Sequence, residues 1–222
     1  MPQNAKPAAT PLLRRPSVIV GALLVALLAA IAATTKVVGT DEAASAGGAD
    51  RFDATEYATQ RYDSDVVPAI EKGAVDVTEL LTAIAADPQA AGERYGHRDG
   101  PNARYAFAAS GTGVAEKVSG TLLPLRIEGM PEDVQVSIQI GPAINGTALR
   151  DATGLITFDQ FLNQLEYADA STELNNQVKA KVLAGVDGAA AEGKRVSFVG
   201  AFTYGSNPKL IQVTPVRLEV AP

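Results

Sequence analysis

The sequence predicts an α+β fold with a membrane-spanning helix ahead of it, and three observations support this prediction. An apolar run follows two arginines near the N-terminus. Residues 53 to about 95 carry helical patterns with capping residues. From residue 105 the apolar period becomes two, in the order three strands, one long helix, two strands. That order is the order of the OB-fold, a five-stranded barrel with a helix between its third and fourth strands. A generic α+β sheet with a packed helix is the alternative.

The N-terminal segment has the pattern of a membrane anchor or an export signal. Arg14 and Arg15 precede an apolar run over 18–33, and no acidic residue occurs before Asp41. A spanning helix needs roughly 17 to 25 apolar residues and a signal-peptide core roughly 7 to 15, so the run lies between the two. Residues 34–38 extend it to spanning length. Small residues near its end also fit a cleavage site, so a cleaved signal remains the alternative.

The positive flank directs the N-terminus to the cytoplasm and the C-terminal part across the membrane. We therefore expect a single-pass protein of the cytoplasmic membrane with an extracytoplasmic domain. The expected divisions are a disordered cytoplasmic tail (1–16), a transmembrane or signal-anchor helix (17–38), a linker (39–51), a small helical subdomain (52–100) and an OB-like α/β domain (101–222).

Two capping boxes open the helices of the small subdomain. Asp53 and Asp76 are each followed three residues later by a glutamate and then by apolar residues at helical spacing. Pro68 must kink or end the first helix, because proline lacks the N–H that a helix interior needs. The Asp-Pro pair at 87–88 ends the second helix.

The barrel strands follow from alternation of apolar and polar residues. Residues 105–109 alternate and form the first expected strand, after which Gly111 and Gly113 are expected to turn the chain. The other strands are expected at residues 118–128, 134–140, 196–204 and 210–220.

A long helix is expected between the third and fourth strands. Thr157 with Gln160 forms another capping box, which predicts that the helix begins there. The apolar face expected for this helix begins with Phe158, Phe161, Leu162 and Leu165.

Composition excludes several kinds of site. The chain has no cysteine and one histidine, so disulfides, a cysteine-linked lipid and a zinc site of usual composition are excluded. A net charge of −6 without a basic stripe argues against nucleic-acid binding. His97 is expected to be a hydrogen-bonding loop residue, since no G-x-S-x-G nucleophile motif accompanies it. We expect no catalytic residue, no metal and no cofactor.

The best candidate site is the polar connection 141–154, because loops between rigid elements often carry function. Asn145, Thr147, Arg150 and Asp151 offer donors and acceptors to a small polar ligand or partner. If they do so, Arg150→Ala and Asp151→Ala impair function more than folding. The structural alternative is that Arg150 pairs with a local carboxylate while Asp151 caps a turn.

Five segments of the chain carry a family resemblance. They are IQIGPAINGTALRDATGLITFDQFLNQLEYA (138–168), ELN (173–175), GKRVSFVGAF (193–202), YGHRDG (95–100) and VTPVRLEV (213–220). Together they resemble a bacterial family of predicted periplasmic lipoproteins of unknown function, whose members share a GP-x-x-x-GTA-x-RD core. The resemblance runs from about residue 35 to the C-terminus, and it implies a helical subdomain followed by an OB-like barrel.

The sequence departs from that family in two places. The family's lipid-bearing cysteine falls near Thr34 or Thr35, where this chain has no cysteine. This departure favours a transmembrane anchor over a lipid anchor. Tyr62 stands where the family tends to have tryptophan, so an aromatic ring is kept.

The functional expectation is a membrane-anchored extracytoplasmic protein that binds a ligand or partner without catalysis. The membrane is contacted through residues 18–38. The resemblance also suggests sugar uptake, with a sugar-transporter component as a partner. The alternative is an extracytoplasmic carbohydrate-active enzyme that uses carboxylates such as Asp151 and Glu166.

Overall fold

A computed structural model describes Val20, Leu24 and Leu27 together with residues 52–205 and 207–222. The predicted tail, linker and all but three residues of the predicted anchor lie outside the described residues. Those three are helical and have exposed side chains. Among the residues described, no helix is both long enough and apolar enough to cross a membrane. The chain divides into two compact units, residues 1–51 and 52–222, and the second unit contains the α+β fold.

Helices and strands alternate in blocks along this second unit. The helices are α1 (Ala54–Arg61), a π-helical turn (Tyr62–Val66), α2 (Val67–Gly73), α3 (Val77–Ala86), α4 (Pro88–Tyr95), α5 (Ala148–Ala152), a 3-10 turn (Phe158–Gln160) and α6 (Gln164–Lys181). The strands are β1 (Val75–Asp76), β2 (Gly96–His97), β3 (Ala106–Ala115), β4 (Leu122–Arg126), β5 (Gln135–Gln139), β6 (Arg195–Thr203) and β7 (Leu210–Val220).

Five strands close into a barrel. Their order is β3-β4-β5-β7-β6, and β6 pairs back onto β3 along almost its whole length. The β5–β7 pairing is parallel, whereas the other four pairings are antiparallel. Helix α6 lies between the third and fourth barrel strands in the chain, so the order of elements is that of an OB-fold. The OB-like barrel predicted from alternation is therefore confirmed.

The alternating residues of the strands fill the barrel interior. Leu123 and Leu125 of β4 are buried, as are Val136 and Ile138 of β5. They belong to one apolar cluster with residues of β3, β6 and β7. The period-two pattern thus identified the inward face correctly, because successive side chains of a strand point to opposite sides.

The prediction that Gly111 and Gly113 turn the chain is wrong. Both lie inside β3, which continues to Ala115. A Cβ atom at Gly111 would come within 2.9 Å of Val77 Cγ1, and one at Gly113 within 2.9 Å of the Arg126 carbonyl oxygen. These glycines therefore permit close approach of neighbouring elements to the strand, which is a common reason for glycine within a sheet.

Helix α3 belongs to the barrel core. Asp76 caps it as predicted, accepting hydrogen bonds from Thr78 N (2.9 Å) and Glu79 N (3.3 Å). Its apolar stripe joins the cluster that fills the barrel. That stripe consists of Val77, Leu80, Leu81 and Ile84. The helical residues and the barrel therefore share one core within the 52–222 unit.

A second apolar cluster lies outside the barrel. It joins α1, the π-helical turn, α2, α5 and α6 to outward-facing alanines of the sheet. Ala106 and Ala108 of β3 and Ala201 of β6 are buried there. Because alanine side chains are small, the helices can lie close to the strands. Asp53 caps α1 as predicted, accepting from Thr55 N and Glu56 N at 2.9 Å each.

The helical segment continues through Pro68 without interruption. A π-helical turn, Tyr62–Val66, lies directly before α2, whose first turn contains the proline. Wider turns of this kind accommodate a missing hydrogen bond in an otherwise helical segment. Tyr62 is buried at this turn, and burial raises the pKa of its hydroxyl. The first regular helix therefore ends at Arg61, before the π-helical turn, and Pro68 lies at the start of the next helix rather than in a helix interior.

The prediction that the long helix begins at Thr157 is wrong. Thr157 precedes only the 3-10 turn and makes no capping hydrogen bond with its side chain. Asn163 caps α6 instead, accepting from Leu165 N (2.9 Å) and Glu166 N (3.0 Å). An asparagine with extended backbone satisfies two free N–H groups, and this outweighs the capping-box pattern. As a consequence, Leu162 and Leu165 are exposed rather than on a buried face.

Shortening Leu80 tests the shared core of α3 and the barrel. Leu80 is fully buried, so Leu80→Ala should reduce the free energy of unfolding by about 2 to 5 kcal/mol. The matched control is Leu165→Ala, because Leu165 is 69% exposed and its truncation should change stability little. Urea unfolding followed by circular dichroism measures both. Equal effects of the two substitutions would contradict the packing described.

Candidate functional site

The first half of the candidate loop is held by a side chain of the preceding strand. Gln139 Oε1 accepts from Asn145 N at 2.9 Å, and Gln139 Nε2 donates to the Asn145 carbonyl at 3.1 Å. The same Nε2 donates to Thr214 Oγ1 at 2.9 Å. From the other side, Asn175 Nδ2 donates to the Gly146 carbonyl at 2.9 Å. The loop is therefore fastened directly to β5 and α6, and Gln139 in turn is held by Thr214 of β7.

Arg150 and Asp151 form a largely buried ion pair within the short helix α5. Arg150 Nε donates to Asp151 Oδ1 at 2.8 Å, and Thr147 Oγ1 donates to the other carboxylate oxygen, Oδ2. Arg150 Nη1 donates to the Tyr167 carbonyl at 2.9 Å. The guanidinium carbon lies 3.4 Å from the centroid of the Tyr167 ring. Only 7% of Arg150 is exposed, so the arginine joins α5 to α6 from within.

Asp99 joins a distant loop to the same place. Its Oδ2 accepts from Phe158 N at 2.8 Å and from the Tyr167 hydroxyl at 2.9 Å. Burial raises the pKa of Tyr167, and the hydrogen bond to Asp99 raises it further, so its hydroxyl stays protonated near neutral pH. Asp99 therefore brings the YGHRDG segment (95–100) next to the ion pair of Arg150 and Asp151.

These residues surround a cleft of about 340 Å³, which we call the polar cleft. It is lined by Asp99, Ala103, Arg150, Asp151, Phe158, Gln164 and Tyr167. Its walls carry two carboxylates, one amide and one arginine beside an exposed phenyl ring. Such a mixture suits an uncharged polar molecule better than an apolar one.

The structure brings together only part of the predicted site. Arg150 and Asp151 line the polar cleft, whereas Asn145 and Thr147 do not. Asn145 is exposed, and its backbone groups contact Gln139. Thr147 contributes indirectly, because its hydroxyl orients the carboxylate of Asp151.

Besides Ala103, sequence reasoning missed four lining residues of the cleft, namely Asp99, Phe158, Gln164 and Tyr167. All lie in segments quoted for the family resemblance, which was the signal available. Neither spacing nor periodicity indicated them, because their convergence depends on how α6 lies against the loop that contains Asp99.

His97 packs beside the cleft region without the expected hydrogen bond. A Cβ atom at Gly154 would lie 2.7 Å from His97 Nδ1, and Gly154 has a φ of +64°. The imidazole thus lies against a backbone position that glycine adopts easily. His97 is exposed, and within the described ranges its side chain makes no hydrogen bond to another protein group.

Asp151 and Glu166, the carboxylates that a carbohydrate-active enzyme would use, are both engaged in structural contacts. Both oxygens of Asp151 accept hydrogen bonds from Arg150 and Thr147. Glu166 Oε2 accepts from Leu162 N at 3.0 Å, at the start of α6. In the described part of the chain, no group of three or more His, Cys, Asp or Glu side chains could hold a metal ion.

The closed barrel defines the chain as an OB-fold protein with added helices, and a solved structure supports this class. The fold of this chain resembles the crystal structure of an OB-fold protein from Thermotoga maritima, with a TM-score of 0.63 and 21% sequence identity. The match covers 78% of this chain and all of the other one. At this identity the likeness concerns the fold alone. No curated protein sequence matches the chain.

A sequence match over most of the chain shows the family to which the protein belongs. Residues 23–219 match the family described as Predicted periplasmic lipoprotein (DUF2291), and the chain belongs to this family. Its function is unknown. The resemblance inferred from the RD core and its neighbouring segments is thereby confirmed at the level of the family, whereas the chain itself contains no cysteine to carry a lipid.

Removing Arg150 should destabilise the protein. Arg150→Ala leaves the Asp151 carboxylate without its partner in a largely buried position, so we expect a loss of about 3 to 5 kcal/mol in the free energy of unfolding. Asp133 forms an exposed ion pair with Lys209, and Asp133→Ala is the control that should leave the melting temperature nearly unchanged. Thermal unfolding measures both variants. A wild-type melting temperature for Arg150→Ala would contradict a structural role for the buried pair.

Proposed function

We propose that this protein is a membrane-anchored extracytoplasmic accessory that binds a small polar ligand in the polar cleft and performs no catalysis. The observation that carries the proposal is the cleft itself, where Asp99, Asp151, Gln164 and Arg150 converge from three segments of the chain. The hydrogen bonds of Asp99, Arg150 and Asp151 fix the walls before a ligand arrives. Such preorganisation reduces the entropy lost on binding.

Gln164 is the lining residue that is most available to a ligand. It lies exposed at the first position of α6, and among the described residues its side chain has no hydrogen-bond partner. Asp99 is also exposed and has its Oδ1 oxygen outside the contacts made by Oδ2. These groups can donate to and accept from neighbouring hydroxyls, as a polyol or sugar would require.

The exposed apolar side chains of Leu155, Phe158, Leu162 and Leu165, which we call the apolar rim, support the proposal of a protein partner as well. Leu162 is 86% exposed and Leu165 is 69% exposed, and Leu155 and Phe158 nearby are exposed too. Several large apolar side chains within one short segment mark interaction surfaces more often than isolated ones do. We propose that this rim contacts a component of a membrane transporter, which would link the ligand to sugar uptake.

The arrangement of carboxylates favours binding over glycoside hydrolysis. A hydrolase of the usual kind needs one carboxyl group free to protonate the leaving group and another free to attack or activate water. Asp151 is held by Arg150 and Thr147, and Glu166 is hydrogen-bonded to the backbone of Leu162. The acidic balance of the chain also supports the proposal that it binds no nucleic acid, although other OB-folds do.

Ligand binding can be tested with a panel of neutral mono- and disaccharides added to the full-length protein. We expect one class to raise the melting temperature without any product detectable by chromatography. Gln164→Ala should weaken binding about fivefold, as expected for loss of one hydrogen bond worth about 1 kcal/mol, while leaving the ligand-free melting temperature unchanged.

Glu132→Gln is the matched control, because Glu132 is exposed and lies outside the polar cleft. It should bind like the wild type. If Gln164→Ala and Glu132→Gln bind equally well, the ligand does not occupy the polar cleft. Formation of product would replace the binding proposal with the enzymatic one.

Membrane attachment through residues 18–38 can be tested independently of any ligand. We expect the full-length protein to remain in the membrane fraction after an alkaline carbonate wash, because an apolar spanning helix is not released by high pH. N-terminal sequencing of the membrane-bound protein should show that the chain is not cut near Ala33. A soluble extracytoplasmic form that begins near Ala33 would contradict the anchor but not the export.

A further inference from the structure

A second cavity lies at one end of the barrel and differs in chemistry from the polar cleft. It has a volume of about 490 Å³, and we call it the apolar pocket. Helix α3 contributes Leu81, Ile84 and Ala85, and the β4–β5 connection contributes Met130, Pro131 and Val134. The β6–β7 connection completes the wall with Tyr204, Pro208 and Lys209. The volume is within the usual range for small-molecule pockets, roughly 300 to 1,000 Å³.

The walls of the apolar pocket are fixed by the fold. Leu81 and Ile84 belong to the barrel core, so α3 cannot move away without opening that core. The two connections are joined to each other, because Gln135 N donates to the Lys209 carbonyl at 2.7 Å. Proline residues restrict the backbone of both connections, at Pro131 and Pro208, and of the start of α4, at Pro88, since each fixes its own φ angle. The cavity is therefore a formed site.

Charged groups occur at the entrance of the apolar pocket. Lys209 Nζ lies 2.6 Å from Asp133 Oδ2, and the two side chains are 60% and 59% exposed. An ion pair so exposed contributes little to stability, because water screens it. Lys209 can therefore share its charge with an incoming anion at small cost. The lining thus combines an apolar body with an exposed Lys209–Asp133 ion pair at its edge.

We propose that the apolar pocket binds a free single-chain amphiphile, with its alkyl chain among Leu81, Ile84, Met130 and Val134 and its carboxylate at Lys209. This occupant matches both features of the site, since an alkyl chain fills the apolar body and a carboxylate can take the place of Asp133 in the exposed ion pair with Lys209. The apolar pocket and the polar cleft share no lining residue. This second site therefore does not depend on what the polar cleft binds.

The absence of cysteine from the sequence allows a direct test on the full-length protein. Ala85 lines the apolar pocket and is exposed, so Ala85→Cys introduces a single thiol at its entrance. Leu165→Cys places the same thiol on an exposed surface outside the pocket. The protein is held in phospholipid nanodiscs, and the rate of maleimide labelling is measured with and without decanoate or decanol.

We expect both decanoate and decanol to slow labelling of Ala85→Cys severalfold and to leave Leu165→Cys unaffected. Adding Lys209→Gln should weaken protection by decanoate about two- to fivefold, the range for a solvated ion pair, and should leave protection by decanol unchanged. Unchanged labelling of Ala85→Cys with both amphiphiles, or equal protection of Leu165→Cys, would overturn the proposal.

Two further outcomes test where the carboxylate binds and whether the alkyl chain comes from a free amphiphile or from membrane lipid. Equal effects of Lys209→Gln on decanoate and decanol would refute the placement of the carboxylate at Lys209. The same alkyl chemistry is also available from membrane lipid. If the bilayer lipid already fills the pocket, Ala85→Cys is labelled more slowly than Leu165→Cys in nanodiscs before any amphiphile is added, and decanoate slows its labelling no further. That result would refute a free amphiphile as the occupant.

Discussion

The pairing of β6 with β3 is the constraint on which the rest of the 52–222 unit depends. It runs from Ala106 opposite Thr203 to Val114 opposite Arg195 and closes the barrel. Closure removes the free edges that an open sheet would leave. The same two strands present alanines on their outer face, where the helices pack. One pairing therefore creates the interior that α3 seals and the exterior on which α1 and α6 lie.

The two apolar clusters have different consequences for function. The cluster inside the barrel fixes α3, and α3 forms one wall of the apolar pocket. The cluster outside the barrel fixes α5 and α6, which carry the Arg150–Asp151 pair and Tyr167 of the polar cleft. Each proposed site therefore rests on a packed core, while its own lining residues come partly from connections. Rigid elements that position loop residues are a common arrangement for binding sites.

Membership in a family of predicted periplasmic lipoproteins is compatible with both sites but defines neither. The family description concerns location, and the OB-like barrel occurs in proteins of many functions, so fold alone carries no activity. The family's description names lipoproteins, and this chain has no cysteine to which a lipid could be attached.

The sequence by itself determined the order of strands, the helix caps at Asp53 and Asp76, and the family, because alternation and capping are local properties. Only the tertiary structure decided that Gly111 lies within a strand, that α6 begins after Asn163, and that α3 belongs to the barrel core. The tertiary structure also forms the polar cleft, because Asp99 accepts a hydrogen bond from Tyr167, which lies 68 positions further along the sequence. Such convergence depends on packing between distant segments, which a local pattern does not encode.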